Sequence, residues 1–352
     1  MTPLTVGSTF TGVGGADLGF EQAGFTISWQ CELDAWKRSV LAAHWPDVQI
    51  FDDITTMLDP PPVDILIGGF PCQDLSVAGQ RKGFTGERSI LAFEFLRLAE
   101  SIRPKWIVLE NVPGLLSSSQ GADFARLIDE VVACGFGVSW RILDARFFGV
   151  PQRRRRVFIV ARRTDALVDS REASRLALRA LRESGSGNIA SGWQAWQETA
   201  RGTREGAPGG CVCEPDPAGS LTKRYGKGVN STLDDGSIVI SDGGGLAFRK
   251  SRRAASMTDD ETWVDGDHAN TLNRFDVGDT RTTHAIVGDT TVRRLTPLEC
   301  ERLMGLPDGW TAPEGVKAPD SKRYAACGDA IVTTVAFWIA DRIRIIEEEE
   351  AS

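Results

Sequence analysis

Over the first 160 residues, short apolar runs alternate with longer stretches in which apolar side chains recur every three or four positions. The runs LTVGSTF (4–10), FTISWQCE (25–32), VDILIGG (63–69) and KWIVLEN (105–111) are short and β-rich, and read as strands. The segments from about Ala16 to Gln22, LDAWKRSVLAAHW (33–45), SILAFEFLRLAESI (89–102) and ADFARLIDEVVACG (122–135) carry the helical period. VSWRILDA (138–145) and RRVFIVARR (155–163) add two β-rich runs. Such alternation predicts an α/β fold built on a doubly wound, mostly parallel sheet.

The character changes near Thr164. Residues 164–183 are compatible with a polar helix, and 201–290 hold 14 glycines, few sustained apolar periods and many short β-like pieces. Periodic order returns with TPLECERLMG (296–305), a capped short helix, and AIVTTVAFWIADRIRII (330–346), a long helix with a buried face. The organisation expected is a first domain over 1–163, a loop- and β-rich second domain over 164–290, and a return to the first over 291–352.

The apolar share of 41% and charged share of 25% are those of a soluble globular protein. No apolar run approaches the roughly 20 residues needed to cross a bilayer, and the start MTPLTVGSTF has neither a basic opening nor a long apolar stretch. Seven irregularly spaced cysteines suggest no disulfide framework, so a reducing cytoplasm is expected. The Cys211–Cys213 pair lacks a second pair at zinc spacing, which leaves no metal site to expect. The net charge of −8 argues against nucleic acid only if charge is spread evenly. It is not, because Arg141 to Arg163 holds eight arginines against one acid, Asp144, while EEEE at 347–350 puts acid on the terminal tail. A local basic face can act on an acidic protein because screening confines charge to roughly 10 Å. A solvated arginine-rich strand end explains the cluster about as well.

In open α/β sheets, ligands sit beyond the carboxyl ends of the strands. After the first strand comes FTGVGG, where Gly12 and Gly14 let backbone approach a ligand; Asp17 occupies the last glycine position of a GxGxxG fingerprint, which weakens a dehydrogenase reading. Glu32 follows the second strand, where an acid can hold ribose hydroxyls. Asp53 follows the third, able to accept from an adenine amino group, with Ile54 able to pack on its face. A nucleoside-bearing cofactor without a phosphate cradle fits this set. After the fourth strand, GGFPCQDLSVAG (68–79) presents Cys72 behind the stiffening Pro71, and Glu110 stands at the end of the fifth. Taken alone, Cys72 is as well explained as a small packed hydrophobe as a nucleophile. With Glu110 it suggests covalent catalysis assisted by an acid.

The segments FTGVGGADLGFEQAGF, GGFPCQDLSVAG, ENVPGLL, FGVPQRRRRVFIV, RRLTPLECERLMGLPDGW and RYAACGDAIVTTVAFWI, in that order, resemble the DNA cytosine-5 methyltransferases of the compact prokaryotic or phage, restriction-modification type. The resemblance covers nearly all of the chain except about 164–290. It implies a Rossmann-like, mixed-sheet S-adenosylmethionine-dependent methyltransferase fold with a smaller target recognition domain. It implies transfer of a methyl group from S-adenosylmethionine to carbon 5 of a cytosine flipped out of duplex DNA. Cys72 would be the nucleophile at carbon 6, Glu110 would hold ring nitrogen 3 and the exocyclic amine, and Arg154 and Arg156 would anchor the base oxygen and the acid's surroundings. Arg153 and Arg155 would lie on the other face of their strand.

The cofactor residues implied are Phe10, Gly12, Gly14, Glu32, Asp53, Ile54, Phe70, Leu91 and Asp329. The chain departs from the family pattern at Ser8, where an acid is usual, and at Asp329, where Asn is usual; tuned cofactor affinity is expected rather than its loss. Gln73, Thr271 (in NTLNRF, similar to the family's Thr-Leu element) and Arg274 are the DNA-binding candidates. The partner implied is double-stranded DNA bound by a monomer, with a cognate restriction endonuclease as the further partner of such a system. Three other readings stand beside this one: a catalytically silent DNA-binding relative, an RNA cytosine-5 methyltransferase, and, weakest, a Rossmann oxidoreductase.

Overall fold

The computed structural model describes residues 3–70, 90–165, 168–182 and 295–351, together with the backbone of five short strands between 246 and 293. The first half runs β1 (Thr5–Thr9), α1 (Gly15–Gln22), β2 (Thr26–Cys31), α2 (Ala35–His44), β3 (Gln49–Phe51), β4 (Ile65–Gly68), α3 (Ile90–Ile102), β5 (Trp106–Asn111), α4 (Ala122–Ala133) and β6 (Phe136–Asp144). Then come β7 (Gln152–Arg153), β8 (Arg155–Arg163) and α5 (Ser170–Ala180). The strands of the first half contain the β-branched and aromatic runs, and the core on either side of them takes their side chains almost completely out of water. Val6, Ile65, Trp106 and Val160 belong to one buried cluster, and Trp29, Leu66, Ile107 and Ile159 to another. A near-continuous apolar strand is what a sheet covered on both faces requires.

The main sheet has seven strands in the order β3-β2-β1-β4-β5-β8-β6. From β3 to β5 neighbours are parallel, while β8 runs antiparallel to both β5 and β6. The sheet is therefore mixed. The strand order reverses between β1 and β4, which puts the ligand crevice outside the carboxyl ends of those two strands. Because β8 is antiparallel, its first residues share that same edge: Asn111 of β5 pairs with Val157, and Asp144 of β6 with Arg155.

The chain returns through α6 (Pro297–Leu303), α7 (Asp320–Asp329) and α8 (Thr333–Glu350). Thr296 and Glu299 cap α6 reciprocally, as its sequence led one to expect. Of the glutamates at 347–350, Glu348, Glu349 and Glu350 are exposed, but the run is part of a helix rather than a loose tail. α8 continues through them, and Glu347 is buried, accepting from Trp106 Nε1 at 2.8 Å and pairing with Lys105 at 2.6 Å and Arg162 at 3.7 Å. These cations make the acidic run a clasp that fastens α8 across β5 and β8.

The helix over Ser170–Ala180 buries Ala173, Leu176, Ala177 and Ala180 in the same cluster as Val6 and Ile339. Further along, β9 (Leu246–Lys250), β10 (Trp263–Asp265), β12 (His284–Val287) and β13 (Val292–Arg293) form an antiparallel sheet in the order β10-β9-β12-β13. β11 (Ala269–Asn270) pairs instead with β7, Asn270 lying opposite Arg153.

Candidate active site

The end of β1 turns sharply into α1. Phe10 has φ 52°, in the left-handed region that a non-glycine residue rarely occupies, and Gly12 follows at φ 65° with nothing within 4 Å of where a side chain would begin. This loop is held in shape from β2. The Glu32 carboxylate accepts from the Gly12 N–H at 2.7 Å and, through its other oxygen, from the Asp34 N–H at 2.9 Å. Each carboxylate oxygen retains further acceptor capacity, so the same group can receive ribose hydroxyls.

Beside it, Asp53 Oδ1 accepts from the Thr55 N–H and hydroxyl, both at 2.8 Å. Ile54 and Phe70 are buried in one cluster, against which Phe10 and Leu91 pack from its margin. The residues matched to a nucleoside thus gather at the carboxyl ends of β1 to β4. Gly14, at φ 82°, closes the loop as the residue before α1. Asp329 lies at the end of α7 and pairs with Lys37 of α2 at 3.0 Å, tying the C-terminal return to the helix that follows Glu32.

The second part of the site is one strand along. Glu110 is paired with Arg156 of β8, Nε to Oε1 at 2.9 Å, both side chains largely buried. The antiparallel β5–β8 ladder makes this pairing possible, since Glu110 lies opposite Phe158, two residues from Arg156 and on the same face. Gly69 leaves room for the acid, because a side chain there would begin 3.1 Å from Glu110 Oε2. Asn111 donates to the Phe70 carbonyl at 3.1 Å, fixing the chain two residues before Cys72. Two residues span at most about 7 Å of extended chain.

Cys72 itself, with Gln73, Thr271 and Arg274, lies outside the described residues. The described thiols offer no competing nucleophile of obvious merit. Burial pushes the pKa of Cys31 up to about 12 and raises those of Cys134 and Cys327 as well.

The arginine run is not one strand: Arg153 ends β7, Arg154 lies between the two strands, and Arg155 begins β8. Arg154 is buried and donates to the carbonyls of Gly328 at 3.0 Å and Ala330 at 2.9 Å, bracketing the turn that carries Asp329. Burial first, then the like charge of Arg156, lowers its pKa to about 9, against the pull of Glu110, so it stays cationic at neutral pH. Arg155 is exposed. The two arginines matched to the family therefore divide their work: Arg156 holds the acid, and Arg154 holds the C-terminal turn.

Two features went unread in the sequence. Leu33, directly after Glu32, is 74% exposed, an isolated large apolar side chain beside the nucleoside residues. Its signal was an apolar residue directly after Glu32. The second is a clamp on the glycine loop: Trp310 donates from Nε1 to the Val13 carbonyl at 2.7 Å and stacks on His44 at 3.5 Å. No local pattern links residues so distant in sequence.

A family model described as C-5 cytosine-specific DNA methylase matches residues 4–344. The chain belongs to that family. Among relatives of this methylase chain, the Type II methyltransferase M2.BsuMI of Bacillus subtilis is 41% identical over 162 residues, which are 45% of this chain and 42% of that protein. The chain thus matches less than half the length of that relative. The Type II methyltransferase M.Sau3AI of Staphylococcus aureus is 27% identical over an alignment of 410 positions, gaps included, covering 99% of this chain and 97% of the other. A solved putative DNA modification methyltransferase from an Escherichia coli prophage superposes with a TM-score of 0.62 at 19% identity, covering 98% and 99% of the two chains. That likeness confirms the mixed-sheet methyltransferase architecture.

Proposed function

We propose that this chain is a DNA cytosine-5 methyltransferase that uses S-adenosylmethionine. The observation that carries the reading is the Arg156–Glu110 pair, set beside Gly69 at the sheet edge where the chain leaves for Cys72. A carboxyl held by a guanidinium can grip ring nitrogen 3 and the exocyclic amine of a pyrimidine. The nucleoside residues lie on the adjoining strands of the same edge.

The cofactor fits the residues present. Glu32 would hold its ribose, Asp53 and Ile54 its base, and the open space over Gly12 admits the rest. When bound, it supplies an electrophilic sulfonium methyl group. Carbon 5 of cytosine is too weak a nucleophile to take that methyl unaided. The Cys72 thiolate adds to carbon 6, forming an Sγ–C6 bond and moving ring electrons toward carbon 5. Glu110 steadies nitrogen 3 as that density builds, and Arg156 steadies Glu110. After methylation the carbon 5 proton leaves to a base, the Sγ–C6 bond breaks and its electrons return to the thiolate.

The target base must leave the helix to be reached, at a cost of a few kcal/mol. The second, antiparallel sheet and the strand Ala269–Asn270, paired to Gln152–Arg153, support a DNA-holding role for the region up to 290. Thr271 follows that pairing directly and is proposed as a backbone contact, with Gln73 and Arg274 as further DNA contacts. The domain division at 164 and 290 belongs to the same proposal, as do a restriction-modification role and a monomeric, cytoplasmic enzyme.

The test is methyl transfer from labelled S-adenosylmethionine to duplex DNA, followed by digestion to nucleosides. The expected product is 5-methyldeoxycytidine. Label found only in methylated adenine, or only in an RNA competitor, would overturn the assignment.

A further inference from the structure

Beneath the glycine loop lies a buried carboxylate that the reading above leaves without a task. Asp17, in the first turn of α1, is fully buried. Its Oδ2 accepts from the Ser8 hydroxyl of β1 at 3.0 Å and its Oδ1 from Gln30 Nε2 of β2 at 3.0 Å. Ser8 in turn meets the Thr11 hydroxyl at 3.1 Å, and Thr11 bonds the Cys31 carbonyl at 3.1 Å, next to Glu32. The network thus joins the end of β1, the loop, the start of α1 and the end of β2. It supports Gly12 and Glu32 from below.

Among the described residues, the hydrogen-bonding partners of Asp17 are neutral. Glu21, one turn along α1, adds a like charge. Ser8, Thr11 and Gln30 face it from β1, the loop and β2, while α8 comes against α1 at Gly19 with Thr333, Ala336 and Phe337. Burial, the largest influence, pushes its pKa up to about 6, against the two side-chain hydrogen bonds. Among the described residues, Gln30 Oε1 is buried without a hydrogen-bond partner. A flipped Gln30 amide would let that oxygen accept from a protonated Asp17, so the same residue can serve both protonation states.

A buried acid among neutral hydrogen-bonding partners is a costly arrangement for folding alone. It makes sense beside a ligand that brings positive charge, and the proposed cofactor carries a sulfonium. The carboxylate reaches the Ser8 hydroxyl at the end of β1 from α1.

We propose that Asp17 is a positioning residue of the cofactor loop, whose ionised carboxylate favours a sulfonium ligand over its neutral thioether. The inference rests on the cofactor reading above. Acting through Ser8, Thr11 and Gln30, the charge sets the loop that Glu32 grips, so ligand charge and loop shape are coupled.

Calorimetric titration of wild type, Asp17→Asn and Ser8→Ala with S-adenosylmethionine and S-adenosylhomocysteine, between pH 5 and 8, tests this. Wild type should lose S-adenosylmethionine affinity on acidification, about fivefold between pH 8 and pH 5 if the bound ligand lowers the Asp17 pKa by about one unit. Its affinity for the thioether should change much less. Asp17→Asn should bind S-adenosylmethionine several-fold more weakly at pH 7.5, with a flat pH profile and a reduced preference over the thioether. Ser8→Ala keeps the charge but removes a bond that lowers the pKa, so its profile should persist with the midpoint moved to higher pH. Equal weakening for both ligands in Asp17→Asn, or an unchanged pH profile, overturns the inference. Wild type that binds neither ligand refutes the cofactor reading itself, and the inference with it.

Discussion

The pairing of Arg156 with Glu110 invites a double-mutant cycle. Arg156→Ala leaves a carboxylate only 12% exposed without its guanidinium, and Glu110→Gln keeps the shape while removing the charge. Breaking a fully buried pair costs about 3–5 kcal/mol in stability, and this pair, partly open to solvent, should lie nearer 2 kcal/mol. The catalytic loss should be larger than stability alone predicts. Losing one preorganised polar group at a reacting centre costs about 100-fold in rate, or roughly 2.7 kcal/mol.

If Arg156 acts mainly by holding Glu110, the two losses overlap. Each single variant should lose about 100-fold in kcat, and the double variant little more than the worse single, a coupling of about 2.5 kcal/mol. Single-turnover methyl transfer to duplex DNA, run beside cofactor titration, reads both quantities. Cofactor affinity should stay within about twofold, since Glu32 and Asp53 lie on other strands; a cofactor effect of one unit of log Kd would itself be 1.4 kcal/mol. Additive losses, near 10,000-fold in the double variant, would refute the positioning argument, as would a rate unaffected by Arg156→Ala.

Leu33→Ala should weaken S-adenosylmethionine binding by about 1 kcal/mol, roughly fivefold, if the nucleoside covers this side chain; unchanged affinity in calorimetry would remove it from the site. Glu347→Ala strands the Trp106 indole N–H and removes one of the acids around the buried Arg162, which keeps Asp165 and Glu350, and should lower stability by about 2 kcal/mol while sparing the methylation rate per folded molecule; Glu347→Gln, which keeps an acceptor, should cost about half as much by denaturant unfolding. The native state holds the Asp17 proton more tightly than the unfolded chain, with the pKa about 6 against 3.8, so its stabilising contribution is complete below about pH 4 and lost as pH rises through 6. Asp17→Asn should therefore match wild type near pH 4 and exceed it by up to about 3 kcal/mol at pH 7.5; a variant less stable at pH 7.5 than at pH 4, relative to wild type, contradicts the sign.

The main elements of the first domain were legible because local periodicity and burial agree there. LDAWKRSVLAAHW and ADFARLIDEVVACG announce helices that fold largely within those bounds. The antiparallel placement of β8 was not legible from apolar pattern, since direction leaves no mark on a strand's side-chain period. Family resemblance carried the mixed sheet. The partners of Glu347 were not legible for a related reason: nothing local in a run of four glutamates marks the first as buried, and only the docking of α8 against Trp106 and Arg162 shows what it pairs with.

At the site, Glu32, Asp53 and Glu110 were readable because strand ends in an α/β sheet converge. Asp17 was readable only as a mismatch to a dinucleotide fingerprint. Its hydrogen-bonding partners lie 9 and 13 positions away, on two different strands, so the network it anchors exists only in three dimensions.

The central claim is methylation of cytosine through Cys72. The most direct measurement is bisulfite sequencing of plasmid DNA from cells expressing wild type or Cys72→Ser. Wild type should protect cytosines in one recurring sequence context, and Cys72→Ser should protect none. Protection that persists in Cys72→Ser, or a wild type that protects no cytosine in any context, would contradict the account.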